Sequence, residues 1–550
     1  MSVNHLRLSR AVCLALALCA AAACGRTPEV GSSADNGGTG AIYNQTNPAP
    51  RDQVQDGGTF TWPLDVMSSN FNYNQLDGPD IATAQVMLAL MQSPFMADAS
   101  GTPHWNHNLL AEEPTVVMEP KQQVTYRIHP KATWTDGSPL TWEDFYWQWR
   151  ALRGVDKAYL ISASTGYEAI ENVQRGRDDR EAIVTFARRF ADWRATFGPL
   201  YPAWTNRDPK VFNEGWKERP RTADGPFRFD SLDVTAKTIT VVRNERWWGP
   251  AAKLDRIVYR VIEPDAQIDA VANGEIDAID VGPDVNKFNR AQDVEGTDLR
   301  VASSLNFRHI TINGTSPNLQ DVRVRRALAM AISRQAITRA ALGPLGLRAT
   351  PLGNHIFIGN QAGYQDNSGE VGAYNPERAR RLLDEAGWSM EGTVRKKDGR
   401  PLELDAVIPS AVATSKQEAE LVQNMLAQVG IRLKIVTVPT TDFFTSYIAP
   451  GQFDLTMFSW MGTAYPISLS RPLYATPTAG PDGTLDVQLN FARIGTSEID
   501  RLFEEASQEL DREKARALAN RIDTLLWEEV HSLPLYQDRK STRLNSSHRT

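Results

Sequence analysis

Cysteine is nearly absent from this chain. Three occur in 550 residues, Cys13, Cys19 and Cys24, and none follows position 24. No disulfide, thiolate nucleophile or cysteine-based metal site can therefore form beyond that point. Long apolar runs are missing too: nothing after residue 24 approaches the roughly 20 residues that a membrane-spanning helix takes. The sequence has no phosphate loop, no dinucleotide glycine fingerprint, no Gly-x-Ser-x-Gly elbow and no His-Glu-x-x-His. His104 and His107 make a lone His-x-x-His with no apparent third ligand and read as loop histidines, so neither metal nor cofactor is expected. A formal charge of −7 is mild for this length and argues against a nucleic-acid surface. No sequence period of 20–50 residues repeats, which argues against a solenoid. Acidic residues abound, yet none pairs with another in an apolar setting suited to a tuned acid and base. The weight moves from catalysis towards binding.

What is present starts at the N-terminus. Arg7 and Arg10 precede an apolar, small-residue run over 11–23, and Cys24-Gly25 follows. A basic start, a short apolar core and a small-residue cleavage region make an export signal over 1–23. A cysteine directly after three alanines resembles the lipobox of bacterial lipoproteins, which implies cleavage before Cys24 and lipidation of its thiol. Ordinary cleavage beside an incidental cysteine is the alternative. Residues 24–56 then read as a tether. Asn36-Gly37-Gly38-Thr39-Gly40 and Asn47-Pro48-Ala49-Pro50 are polar and too poor in apolar surface to offset their ordering entropy.

The remaining chain, 41% hydrophobic overall, is long enough for two or three domains held by their cores alone. Thr59-Phe60-Thr61-Trp62, 123–128, 182–186, 238–243 and 256–262 alternate or are β-branched and aromatic, and predict strands. Thr141-Trp142-Glu143-Asp144 predicts a helix start, with Thr as N-cap and acids in the first turn. From residue 305 strands and helices alternate. One helix is expected over 321–341, another from Asn375-Pro376 to Ala386-Gly387, and a third over 415–429 between strands 402–408 and 431–438. This order gives a sheet flanked by helices, an α/β class. Fourteen tryptophans, several clustered, suit core packing and also a ligand cleft lined with flat rings.

Eight segments, taken in order and spacing, resemble one family. They are the run Trp134 to Phe145, Asp224-Gly225-Pro226-Phe227, Asn244 with Trp247-Trp248, Asn273-Gly274-Glu275-Ile276-Asp277, Asp321 to Leu328 with Ala331-Ile332, Asn375-Pro376-Glu377 with Leu382-Leu383, Ala386-Gly387-Trp388, and Leu533-Pro534-Leu535-Tyr536. Together they are similar to the family 5 solute-binding proteins of ABC importers, over about 57–536. The resemblance implies a two-lobed, periplasmic-binding-protein-like (type II) α/β fold with an extra subdomain on lobe I. Lobe I would hold 57–80, 180–300 and 490–537, the extra subdomain 81–179, and lobe II 305–485. It further implies a non-enzymatic, monomeric receptor that closes on an oligopeptide or related small solute and serves ABC permease subunits. Contact with the membrane would be through the lipid anchor on the extracytoplasmic face.

The same resemblance supplies the expected ligand-binding residues. In lobe II they are Trp460, Met461, Gly462 and Thr463, in lobe I Ser68, Ser69, Asn70, Phe71 and Asn72, and near the return crossing Asn490 and Phe491. Peptide binders of the family often carry an Asp between the positions of Trp460 and Pro466, where it pairs with the ligand's amino group. This chain has none there. A buried ammonium without a carboxylate is costly. Another acid would have to serve, or the ligand is an N-blocked or cyclic peptide, or another solute such as a nickel chelate, haem, glycan or opine. A sensor without transport is a further alternative.

Residues 538–550 depart from the family pattern. They are polar, resemble translated sequencing-adapter read-through, and are expected to be non-native and unstructured. Intact-mass measurement of the protein from its source cell is expected to give a mass that differs from one with this ending; a mass consistent with it refutes the reading.

Overall fold

The computed structural model describes residues 45, 49–98, 101–282, 284–479 and 485–545. The export signal, Cys24 and most of the tether lie outside these residues. Of the tether, Arg51–Gln53 forms a short 3₁₀ turn, and Asp56 pairs with Lys253 at 3.2 Å.

Two large cores organise the chain. The first gathers Leu64, Val86, Tyr126, Phe145, Phe197, Ile239 and Tyr259. A four-stranded sheet flanks it, in the order Thr59–Leu64, Arg256–Val261, Thr238–Arg243, Phe227–Asp233. A second four-stranded sheet contributes Thr115–Val117, Gln123–Arg127, Glu181–Phe186 and Ile170–Arg175, in that order. The expected boundary at 179 thus cuts this second sheet, because Glu181–Phe186 pairs on both sides within it. Trp142–Leu152 packs here as a helix. Its start is a capping box: Thr141 Oγ1 accepts from the Glu143 N–H at 3.3 Å, and Asp144 Oδ2 accepts from the Thr141 N–H at 2.7 Å. The other Asp144 oxygen accepts from the Ala203 N–H at 2.7 Å. Burial pushes this carboxyl up to about 7 against those bonds.

The second core holds Ile310, Leu328, Leu404, Leu426, Met457, Trp527 and Leu533. Its six-stranded sheet runs Ala278–Asp280, Ser532–Asn545, Thr297–Ile312, Leu455–Trp460, Glu403–Pro409, Arg432–Val438. The last three are mutually parallel, and Leu455–Trp460 runs antiparallel to Thr297–Ile312, pairing Phe307 with Trp460 and Ile312 with Leu455. Sequence reasoning finds only the second half of the strand Thr297–Ile312, since Arg300 to Asn306 mixes polar and apolar residues without clean alternation. It pairs with the return strand Ser532–Asn545 along nearly its whole length, with a break in register between Ser303 and Phe307.

The structure corrects three expectations. Residues 490–537 do not join lobe I. Helix Ser497–Gln508 and helix Arg512–Glu529 bury Ile499, Phe503, Ile522 and Leu526 against Ile356, Phe357 and Tyr474, while Trp527 and Leu533 enter the second core. The return crossing follows these helices instead of preceding them. Residues 538–545 are not unstructured: they continue the return strand, because the first half of Thr297–Ile312 presents backbone groups that any sequence can pair. The expected helix over 321–341 is two, Val322–Ala331 and Arg334–Leu342. Ile332 is extended, and Ser333 Oγ caps the second helix by accepting from the Ala336 N–H at 3.2 Å. Serine placed inside an apolar periodicity is a breaker of this kind.

Between the cores lies a shared segment. The Thr61 N–H donates to Asp277 Oδ2 at 2.7 Å and the Asp277 N–H to Thr61 O at 3.0 Å, while Ile268, Ile279 and Phe288 are continuous with the second core.

A buried ion pair fastens the sheet to its helix. Arg308, on the crossing strand, is 4% exposed and Glu418, on helix Ala413–Ala427, 2%. Arg308 Nε donates to Glu418 Oε1 at 3.2 Å, and Nη2 donates both to Glu418 Oε2 and to Ser415 Oγ. Tyr536 on the return strand donates its hydroxyl to the same Glu418 Oε1 at 2.8 Å. Burial alone would lower the guanidinium's pKa; Glu418 outweighs it, and the net shift is upward. Glu418→Ala is expected to destabilise the fold by about 3–5 kcal/mol in denaturant unfolding, since it strands a desolvated cation; a loss below about 1 kcal/mol would contradict this.

Candidate functional site

Three parallel strands end together at Pro409, Val438 and Trp460. In open α/β sheets ligands sit outside such carboxyl ends. Here that edge lies next to the register break of the crossing strand, because Trp460 pairs with Phe307. The chain then leaves the sheet tightly. The Gly462 N–H donates to Asn306 Oδ1 at 3.3 Å, and a Cβ on Gly462 would stand 1.9 Å from Leu305 O, so only glycine fits. Thr463 O accepts from Gln361 Nε2 at 2.8 Å, and Thr463 Oγ1 accepts from the Tyr465 N–H at 3.1 Å. Helix Pro466–Tyr474 follows.

An aromatic surface covers this edge. Trp460 stacks on His309 at 5.7 Å and 11°, and on Phe491 at 5.6 Å and 19°. Phe444 continues the group, 6.2 Å from Phe491 and 5.3 Å from Phe458. Phe444 is 44% exposed and Met461 48%, which is unusual for large apolar side chains beside a core. His309 is buried, and desolvation, helped by the nearby Arg308 charge, holds its pKa well below the ordinary value. It is a neutral ring, with Nε2 2.8 Å from Thr311 Oγ1. Trp460 is half-buried and Phe444 exposed, so the edge shows their flat, uncharged faces, backed by the buried Phe491, Phe458 and His309.

Of the expected residues, the structure brings together Trp460, Met461, Gly462, Thr463 and Phe491. It does not do so for the others. Asn490 is fully buried: Nδ2 donates to Ala475 O and Ile494 O, and Oδ1 takes the Arg493 N–H and His531 Nε2. It is a loop brace. Asn70, Phe71 and Asn72 are likewise without exposed surface. Asn70 Nδ2 donates to Asn213 O, Asn72 Nδ2 to Phe212 O, and the Phe71 N–H to Trp216 O. These three hold segment 212–216 against the first core and turn no polar atom to a ligand. Ser69 is exposed and donates to Asp77 O at 3.1 Å, whereas Ser68 is buried with its hydroxyl unpartnered. Position in the family pattern puts the loop after the first strand in the cleft; its amides serve buried backbone instead.

The first core meets the second through loop 188–196, which sequence reasoning passed over. Asp192 Oδ2 accepts from Ser468 Oγ at 2.7 Å. The Ala191 N–H donates to Ser507 O at 2.8 Å, and Arg188 Nε lies 3.3 Å from Glu504. Arg194 lies over the Trp193 ring at 4.4 Å. Burial raises the pKa of both Tyr126 and Tyr465, and Tyr465 lies close enough to Tyr126 to add to the latter's shift. No local motif marks contacts of this sequence separation. His104 is paired with Asp98 at 2.8 Å. Asp224, in one of the eight family-like segments, is fully buried and accepts from the Gln92 N–H at 2.9 Å; burial pushes its carboxyl up to about 7.

The model of the bacterial extracellular solute-binding proteins, family 5 (middle region), matches residues 107–480. The chain is a family 5 solute-binding protein. It is 38% identical over 541 residues to the oligopeptide-binding protein OppA of Mycobacterium tuberculosis, covering 97% of this chain and 89% of that one. Among solved structures, the periplasmic EDTA-binding protein EppA matches with a TM-score of 0.83 and 26% identity, over 90% of this chain and 93% of that one. The oligopeptide-binding protein AppA from Bacillus subtilis, solved with a nonapeptide, shares the fold at a TM-score of 0.75 and 18% identity, over 90% and 95% of the two chains. In this family 5 solute-binding protein no helix among the described residues is long and apolar enough to cross a membrane.

Proposed function

We propose that this protein is an extracytoplasmic receptor that captures oligopeptides between its two lobes and delivers them to an ABC importer. In this reading it is tethered through lipid on Cys24 and makes or breaks no bond in its cargo. The single observation that carries the ligand class is the relation to OppA, an oligopeptide-binding protein, over almost the full chain. The site is compatible with it. Trp460, Phe491 and Phe444 form stacked and tilted ring faces that accept varied side chains, and the close packing at Gly462 leaves backbone near the surface. Ser68 and Ser69 remain the lobe I candidates, with Trp460 to Thr463 and Phe491 opposite.

A second reading rests on one specific feature. Ala464 and Thr463 stand where an acid would neutralise a free amino group, and the nearby His309 is neutral. N-blocked or cyclic peptides, or a solute without an ammonium group, fit that edge at least as well. EppA, which shares this fold, is an EDTA-binding protein.

A thermal-shift screen separates these. Peptide pools, free and N-acetylated, are expected to raise the unfolding temperature equally, and Trp460→Ala is expected to reduce both shifts. Stabilisation by metal chelates or glycans alone would overturn the peptide reading, and a shift confined to free peptides would show that another acid takes the amine.

A further inference from the structure

Helix Pro466–Tyr474 begins without a cap of its own. Its N-cap position is Tyr465, whose side chain makes no capping bond, and Pro466 at the first helical position has no N–H to give. A helix start of this kind normally takes a Ser, Thr, Asp or Asn at the N-cap, whose oxygen accepts from the second or third helical N–H. Here the acceptor comes from 276 residues away. Asp192 Oδ2 receives Ser468 Oγ at 2.7 Å and the Ser468 N–H, the third of the helix, at 3.4 Å. Asp192 belongs to the first lobe and Ser468 to the second.

We propose that Asp192 is a cap supplied in trans, so that the helix following the cleft segment is completed only when the two lobes meet, and that this contact is the latch of the closed receptor. Three features support it. Ser468 is 1% exposed, so the bond is shielded from water, where a charge-assisted hydrogen bond counts for most. The negative carboxylate faces the positive end of the helix dipole. The neighbouring contacts come from the same loop: Ala191 N–H to Ser507 O, and Arg188 to Glu504, an exposed pair that adds little. The latch residue Ser468 lies five residues beyond Thr463, and the helix it completes follows directly on Trp460 to Thr463. Ligand capture and latch formation are then linked, each favouring the other through the closed state.

This inference rests on the two-lobed receptor reading but not on the nature of the solute, and its first readout needs no ligand. Hydrogen exchange of the full chain is measured by mass spectrometry for Asp192→Ala, Asp192→Asn and Ser468→Ala. Faster exchange over 467–474 is expected in each, with helix Ala413–Ala427 unchanged. Whatever solute stabilises the parent protein is expected to bind Asp192→Ala about tenfold more weakly, the equivalent of one lost cap. The Asp192→Ala/Ser468→Ala double variant is expected to bind no worse than Asp192→Ala alone. Unaltered exchange over 467–474, or fully additive losses in the double variant, would overturn the latch. If Asp192→Ala fails to fold, Ser468→Ala decides, since it leaves the first lobe intact. If no solute binds the parent protein, the exchange result still judges the latch while the receptor reading fails separately.

Discussion

The buried contact among Arg308, Glu418 and Tyr536 is the constraint on which the second lobe depends. Arg308 lies on the strand that enters the lobe, Tyr536 on the strand that returns, and Glu418 on the helix that covers them. Desolvating a guanidinium and a carboxylate is expensive, so each must find the other and fill its remaining bonds. Ser415 and Tyr536 do the filling. The contact holds the two strands together across a second register shift, between Arg308 and His309, and the longer irregular stretch from Ser303 to Phe307 is left as the weak point of the ladder. A rigid clamp beside a break in pairing gives a defined pivot instead of a diffuse one.

The cleft edge follows from that arrangement. Because Phe307 is fixed against Trp460, the aromatic group built on Trp460, Phe491 and Phe444 stands beside the pivot. The glycine at 462 lets the chain pass against Leu305, and the helix from Pro466 carries the edge across to the first lobe. In the receptor proposed above, closure at this stretch would move the aromatic edge and the far helix start together. An uncharged, ring-lined wall with little local polarity suits cargo recognised by shape and stacking more than by a fixed charge.

Much of the architecture was legible in the residues. The capping box at Thr141 and Asp144, the Asn375-Pro376 helix start, the positive φ of 86° at Gly387 and the alternating strands all act locally, within a few residues of the signal that reveals them. What escaped is non-local. The helices over 497–529 look the same in sequence whichever lobe they cover; their partners Ile356 and Tyr474 decide it. Asn70 and Asn72 resemble ligand residues until the backbone of 212–216 claims them. The strand pairing of 538–545 depends on its neighbour and not on its own polar sequence. Family position singles out Trp460 and Phe491 as candidates, whereas Asp192 gives no signal at all in its own surroundings.

The central claim is that two lobes pivot shut around a captive solute without altering it. Small-angle scattering of the protein with and without an oligopeptide pool tests this most directly. A smaller radius of gyration is expected with peptide than without it, with recovery of the peptide intact. Superimposable curves at saturating peptide, or cleaved peptide in the recovered solution, would contradict it.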